Sequence, residues 1–476
     1  MLNSLHIQNF KAWKDTGRVR LAPLTVIFGA NSAGKSSLGH LLLALKQTAQ
    51  SSDRRRALHL GDANSPIDLG TFEDCVHGHD LTQSLGFALN WKLPHPLEVR
   101  SPLADGERYV GQNMWLGVYL GLSKVGQPEV KLIQYELSIA GRSQGLDAKL
   151  KRNPTSRKFS LESETYRFLK SDGRKWPLDE PEKFYRVSDL TLARFKNAGF
   201  LTDFALATEQ MLNHFYYLGP MRESPRRSYQ WAGDEPEEVG QRGEYAIAAI
   251  LAAQGQGRRL NRGPKKHQQP FAEFIASWMQ DLGVIHSFSV KPVVEGRKDY
   301  EVLVRTHAGA PEVKITDVGF GVSQVLPALV EAFYCPPNST VWMEQPEIHL
   351  HPQVQGELAD VFISAIQARE NGVPRNVQLI VESHSEHFLT RLQRRVAEGK
   401  VRPDEVAIYF CQRAGGKSDG RAELEPLRLN QDGEIENWPD NFFGDEMADV
   451  AARMRAAMER RRQQQQPSAM AATPQS

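Results

Sequence analysis

The chain has 476 residues, 40% hydrophobic and 24% charged, with 58 Lys and Arg against 57 Asp and Glu for a formal net charge of +1. That length buries one large elaborated core or two ordinary ones. The near-zero balance argues against a nucleic-acid-coating protein while leaving local basic patches open, and no run approaches the roughly 18 apolar residues of a membrane span. Cys75, Cys335 and Cys411 show neither zinc nor disulfide spacing and read as inert thiols of a reducing compartment. With no leader-like apolar stretch at the start, the expected location is the cytoplasm.

Along the chain, SLHIQNF alternates apolar and polar residues, and the apolar run Leu24–Phe28 then enters a glycine-bearing loop and a helical pattern from Ser37, a strand–loop–helix unit. From Lys92 to Glu164 the text is strand-like. Leu190–Leu218 and Glu244–Ala253 read as helices, separated by a segment rich in Pro, Gly and charge. Gln254–Gln269 has no apolar periodicity and reads as a flexible basic loop. After Val284 strands return. An alternation follows: helix Val322–Tyr334, strand Thr340–Met343, helix Pro352–Gln367, strand Val377–Val381, helix Ser385–Ala397, strand Val406–Phe410. Short apolar strands alternating with helices predict an α/β fold with a mostly parallel sheet covered on its faces. The glutamine-rich tail is low-complexity.

Gly29-Ala30-Asn31-Ser32-Ala33-Gly34-Lys35-Ser36 fits the pattern G-x-x-x-x-G-K-[ST], with a strand before it and a helix after it. The glycines let the backbone curl so that N–H groups point at phosphates, and the helix N-terminus adds its positive dipole end. Lys35 is then expected on the β- and γ-phosphates and the Ser36 hydroxyl on Mg²⁺, with Ser37 beside it. Such a loop needs a partner strand ending in a carboxylate. Thr340-Val-Trp-Met-Glu344-Gln345-Pro346-Glu347-Ile-His349-Leu-His351-Pro352 supplies one. Upstream, Gly319-Phe-Gly321-Val-Ser323-Gln324 opens a helix, and downstream Gln378-Leu-Ile-Val-Glu-Ser-His384-Ser385 ends a strand in histidine.

The order of these pieces resembles the ABC-type ATPase heads shared by SMC proteins, OLD-family ATPases and a set of bacterial and phage-defence ATPases. It is most similar to those AAA-family members with an uncharacterised C-terminal domain carrying E-Q-P-E-x-H-L-H-P, E-[ST]-H-S-E-H and W-P-x-x-F-F, the last present here as Trp438-Pro439-Asp-Asn-Phe442-Phe443. The resemblance implies an ABC-type P-loop head split by a β-rich and helical insertion. The expected division is 1–91 and 281–443 for the two parts of the head, 92–280 for the insertion, and 444–476 for an amphipathic helix and tail. It implies ATP and Mg²⁺ as ligands, Gly319, Gly321 and Ser323 as a signature loop that caps the nucleotide of a second copy, Glu344 as the metal-side acid and His384 as the switch histidine. Asp68–Glu73 falls near the expected Q-loop, but no glutamine is there.

Two departures bear on turnover. The signature reads Gly-Phe-Gly rather than Ser-Gly-Gly, and Gln345 stands where the water-polarising glutamate is expected. Glutamine can hold a water but cannot take its proton. Glu347 is the nearest replacement carboxylate, so slow or partner-dependent hydrolysis is expected, with Glu347, Gln345 and His384 as the catalytic set. One functional expectation is an ATPase that pairs on nucleotide, as a homodimer or higher even-numbered assembly, and works with a protein effector in antiviral defence or nucleic-acid surveillance. The other is an ATP-locked scaffold that holds a nuclease or toxin. A metal-dependent nuclease built on His349, His351, His384 and His387 with Glu347, Glu382 and Glu386 is a third, weaker reading, and no membrane association is expected. Arg222, Arg226 and Arg227 either contact an anion of a nucleotide or partner or pair at the surface with Glu235, Glu237 and Glu238. The basic stretch Arg258–His267 either touches nucleic-acid phosphates or is simply solvated. Met447, Val450, Met454 and Met458 form a stripe that packs on its own domain or docks a partner helix.

Overall fold

The structure, a computed structural model, describes residues 1–100, 107–139, 141–142, 144–171, 177–264, 266–414 and 420–439, together with positions 442, 456, 458 and 460. The chain divides into two compact units, Met1–Glu436 and Asn437–Ser476. Of the second, Trp438 and Phe442 meet edge to face at 5.3 Å. Met458 is exposed, whereas Met447, Val450, Met454 and Phe443 lie outside the described residues.

The first unit is built around two large sheets. One has six strands in the order Phe215–Leu218, Thr340–Glu344, Gln378–Glu382, Leu24–Gly29, Val406–Arg413 and Ala422–Leu427. The first five run parallel and the last antiparallel. Thr340–Glu344 and Gln378–Glu382 are buried along their whole length. Continuous apolar runs such as VWM and LIV suit a parallel sheet with helices on both faces. The register pairs Glu344 with Glu382 and Glu382 with Ile27, so the two acids sit side by side at the strand ends next to the Gly29 loop. Ligands of parallel sheets gather at this carboxyl edge.

The other sheet has eight strands and is antiparallel. Leu2–Phe10 pairs with Leu85–Arg100, and Arg108–Leu122, Pro128–Ile139, Leu146–Arg152 and Phe159–Glu162 continue it. Strands from either side of residue 91 therefore share one sheet. An edge-on aromatic cluster, with Tyr166, Phe168, Phe200 and Phe204, packs the Phe200–Asn213 helix into this layer. Tyr135, fully buried, donates its hydroxyl to the Tyr185 carbonyl at 2.6 Å and meets the Thr208 hydroxyl at 3.1 Å.

Two expectations are corrected. The helix expected over Leu190–Leu218 stops at Asn213, and Phe215–Leu218 is a buried strand at the edge of the parallel sheet. The aromatic FYYL run fits a helix or a strand by pattern alone, and only pairing with Thr340–Met343 decides it. The basic stretch 254–269 is not a structureless loop. Arg259–Asn261 pairs with Gln269–Pro270 and with Arg369–Glu370, and Arg258 forms an ion pair with Glu370 at 2.7 Å. Among the described residues, no helix is long and apolar enough to cross a membrane.

Candidate nucleotide site

Residues 29–36 curl between the Leu24–Gly29 strand and the Lys35–Gln50 helix. Gly29 has φ 145° and Gly34 φ 105°, conformations that residues with a Cβ rarely adopt. A Cβ on Gly29 would also strike the Cys411 carbonyl. Gly34 is the N-cap and offers no side-chain acceptor, so the first N–H groups of the helix stay open to an anion. Ala30, Asn31 and Ser32 form the exposed rim, while Ala33 is buried and turns its N–H back to the Ala30 carbonyl at 3.3 Å. The neighbouring strand braces the loop: Arg413 donates to the Ser32 carbonyl at 3.2 Å and the Cys411 thiol to the Ala33 carbonyl at 3.3 Å.

Lys35 is buried under this loop, with Nζ donating at 2.9 Å to both the Gly29 and Ala30 carbonyls. Burial pulls its pKa down, against the charges of Glu382, Cys411, Glu344 and Glu347. Ser37 faces away from the rim, because its hydroxyl accepts the Trp13 indole N–H at 2.9 Å and donates to the Gly34 carbonyl.

The Ser36 hydroxyl donates to Glu382 Oε2 at 2.8 Å. Glu344, the acid expected there from the sequence, lies alongside: Tyr217 donates its hydroxyl to Glu344 Oε1, and His40 Nε2 is 3.4 Å from the same oxygen. Burial is the largest influence on Glu344 and pushes its pKa up, but the bonds from His40 and Tyr217 outweigh it and the carboxyl stays below its usual value. Glu382 is the reverse. Burial, then the neighbouring Glu344 charge, push it up to about 8, against bonds from Ser36 and Trp342. The pair is thus pushed in opposite directions, Glu344 towards the charged form and Glu382 towards the protonated one. The Trp342 indole holds Glu382 Oε1 at 2.7 Å, and its ring lies where a Cβ on Gly39 would collide, so only glycine lets the phosphate-loop helix settle on it.

Glu347 is clamped. Its Oε1 accepts the Ser383 hydroxyl at 2.8 Å and the His384 N–H at 2.7 Å, while its buried Oε2 has no partner. Burial raises its pKa, opposed first by the His384 N–H. Gln345 takes φ 44° at the strand end and donates its N–H to the Glu382 carbonyl at 2.9 Å. His384 Nε2 is likewise buried and unpartnered, and burial with the nearby Lys35 charge pulls its pKa down to about 4, leaving the ring neutral. Lys35, Ser36, Glu344, Glu347 and His384 thus lie together at one sheet edge. The sequence gives no role to Tyr217, His40 or Trp342, and names Glu382 only within the weaker nuclease reading. The one available signal was that Glu382 ends a strand in the same manner as Glu344.

The expected signature residues lie elsewhere. Gly319 caps the Phe320–Tyr334 helix with nothing within 4 Å of a built Cβ, Gly321 faces Leu350, and Ser323 is buried in a cavity lined by Tyr229, Gly243 and Ile315. His351 caps the Pro352–Gln367 helix, and His349 and His387 are exposed. Among the described residues no group of three or more His, Cys, Asp or Glu could hold a metal ion. The Ser36 hydroxyl with two carboxylates instead matches magnesium, which takes one or two carboxylates and completes its shell with water and phosphate oxygens. The open helix N-terminus and the buried Lys35 fit a triphosphate.

Residues 251–389 match the family model described as AAA ATPase domain, and 401–452 match one described as a protein of unknown function, DUF3696. No curated protein matches the chain. Among solved structures, the SMC head bound to the C-terminal winged-helix domain of ScpA is similar at 12% identity and a TM-score of 0.40, over 90% of this chain and 98% of that one. The SMC head domain from Thermotoga maritima is similar at 11% and 0.38, over 90% and 98%. An SMC head with an extended coiled coil bound to the C-terminal domain of ScpA, derived from Pyrococcus furiosus, stands at 10% and 0.38, over 95% and 99%. The span that matches the AAA ATPase domain holds Glu344, Glu347, Glu382 and His384, and the parallel sheet brings the phosphate loop at 29–36, outside that span, beside them.

Proposed function

We propose that the protein binds ATP with Mg²⁺ at residues 29–36 and hydrolyses it slowly, using the nucleotide to pair with a second copy and to control a protein effector. The observation that carries this reading is the Ser36–Glu382–Glu344 cluster beside an uncapped, lysine-bearing helix start. Gly29 to Ser36 would hold the phosphates, and Ser36, Glu344 and Glu382 the metal, which neutralises phosphate charge when bound. Glu347 would accept the proton of the attacking water through Oε2, its raised pKa favouring proton transfer near neutral pH. Gln345 would position that water and His384 would contact the γ-phosphate. The open N-terminus at Gly319 would face the nucleotide of the second copy. Antiviral defence or nucleic-acid surveillance in the cytoplasm is the setting we infer, with a nuclease or toxin as the effector.

Gln345 in the place of a glutamate supports a second reading, an ATP-locked scaffold that releases its effector on a trigger. Phosphate release and light scattering with ATP and Mg²⁺ test both. Glu347→Gln is expected to keep nucleotide-dependent pairing while losing about 10²–10⁴-fold in rate. Parental turnover in that variant excludes Glu347 as the base. A monomeric mass in every nucleotide state excludes the paired switch.

A further inference from the structure

Of the three arginines after the Tyr217–Pro220 turn, two are surface groups with partners: Arg226 pairs with Glu223, and Arg227 pairs with Asp317 at 3.0 Å. Arg222 differs. It is 7% exposed and makes one hydrogen bond, from Nη2 to the Glu344 main-chain carbonyl at 3.2 Å. Its Nε and Nη1 are buried without any partner among the described residues. Glu344 and Glu347 lie close enough to favour its charge, yet among the described residues neither carboxylate forms an ion pair with it. Arg375, also fully buried, makes the contrast clear. It is tied to the Ala332 and Cys335 carbonyls and sits 3.4 Å from Glu370.

A guanidinium with a free donor edge in a dry environment calls for an anion. Its position supplies the identity of that anion. Arg222 follows the Phe215–Leu218 strand at the same carboxyl edge as the phosphate loop, and the Gly219 N–H bond to the Gln241 carbonyl at 2.8 Å fixes the turn that leads to it. Glu347 Oε2 and His384 Nε2, the other unpartnered polar atoms here, flank the same Glu344–Glu347 turn. We propose that Arg222 is a catalytic residue acting within its own subunit, whose free guanidinium edge takes the γ-phosphate of bound nucleoside triphosphate.

This inference rests on the nucleotide reading, so the experiment separates the two. ATP and ADP affinities, each with Mg²⁺, are measured for the wild type, Lys35→Ala, Arg222→Lys and Arg222→Gln, with melting temperatures and phosphate release alongside. If the wild type shows no Lys35-dependent binding, the nucleotide reading itself falls. If it does, the Arg222 variants are expected to keep ADP affinity, to lose at least about tenfold in preference for ATP over ADP, and to lose about 10²–10³-fold in any measurable turnover. Equal loss of ATP and ADP binding, or an unchanged preference, overturns the proposal and leaves Arg222 as a brace of the Glu344 carbonyl. Should both variants fail to fold, the wild type crystallised with a non-hydrolysable ATP analogue and Mg²⁺ decides. A guanidinium nitrogen within hydrogen-bond distance of a γ-phosphate oxygen supports the assignment, and a free edge directed elsewhere overturns it.

Discussion

Two buried polar clusters, one in each large sheet, differ in how they are satisfied. In the antiparallel sheet, Tyr135 is fully enclosed and its hydroxyl is satisfied from two directions, so the group rigidifies and does nothing else. At the carboxyl edge of the parallel sheet, Arg222, Glu347 and His384 all carry buried atoms without partners, and Glu344 and Glu382 cannot both be charged at ease. Unsatisfied buried groups are destabilising. Trp91 and Arg152 of the antiparallel sheet each carry one as well, but the three at the parallel sheet's edge lie beside the phosphate loop, where a ligand can complete the bonding.

The largest expected effect breaks the second sheet's role without disturbing the first. Lys35→Ala should abolish ATP binding in calorimetry, because Nζ is the full charge beneath the loop, while the melting temperature stays near the parental value. A variant that binds ATP normally would remove the basis for the comparison. Next comes the acid pair. Because burial beside Glu344 pushes Glu382 towards its protonated form, Glu382→Gln should leave the fold intact yet lower Mg²⁺-dependent nucleotide affinity by about 10–100-fold, the usual range for groups around a metal. Glu344→Gln, which discards the resident charge and strands the Tyr217 and His40 contacts, should cost both affinity and stability. Equal behaviour of the two variants in metal titrations and thermal melts would show that the pair is not polarised.

A smaller effect concerns Glu331, on the Phe320–Tyr334 helix. One oxygen accepts the Val239 N–H at 3.0 Å, the other is unpartnered, and burial raises its pKa to about 7. The folded state therefore binds its proton more tightly than the unfolded chain. That contribution is complete below the unfolded value and is lost as pH rises towards 7. Glu331→Gln should stabilise the protein by about 2–3 kcal/mol at pH 8, at about 1.4 kcal/mol per pKa unit, and by little at pH 4.5. Denaturant melts at the two pH values read the difference. The smallest expected effect is Tyr135→Phe, which should cost about 1–2 kcal/mol in the same melts and leave nucleotide affinity unchanged.

The parallel sheet was largely legible in the sequence because each strand is a short apolar run between helices, and the phosphate loop because its spacing is set by backbone geometry. What escaped depends on distant partners. Phe215–Leu218 is a strand through pairing with Thr340–Met343, more than a hundred residues on, and the 254–269 stretch is ordered by Glu370. Glu382 and Arg222 are ordinary in sequence. Register beside Ile27 makes the first a neighbour of Ser36, and burial separates the second from Arg226 and Arg227.

The Trp342 indole bond to Glu382 has an optical consequence. An indole whose N–H faces a carboxyl should change its emission when a metal ion binds that carboxyl. Filling the site should therefore write a signal into the protein's own fluorescence. Trp342→Phe should erase that Mg²⁺- and nucleotide-dependent component while the remaining tryptophans supply a constant background, which gives a label-free readout of when the site is loaded.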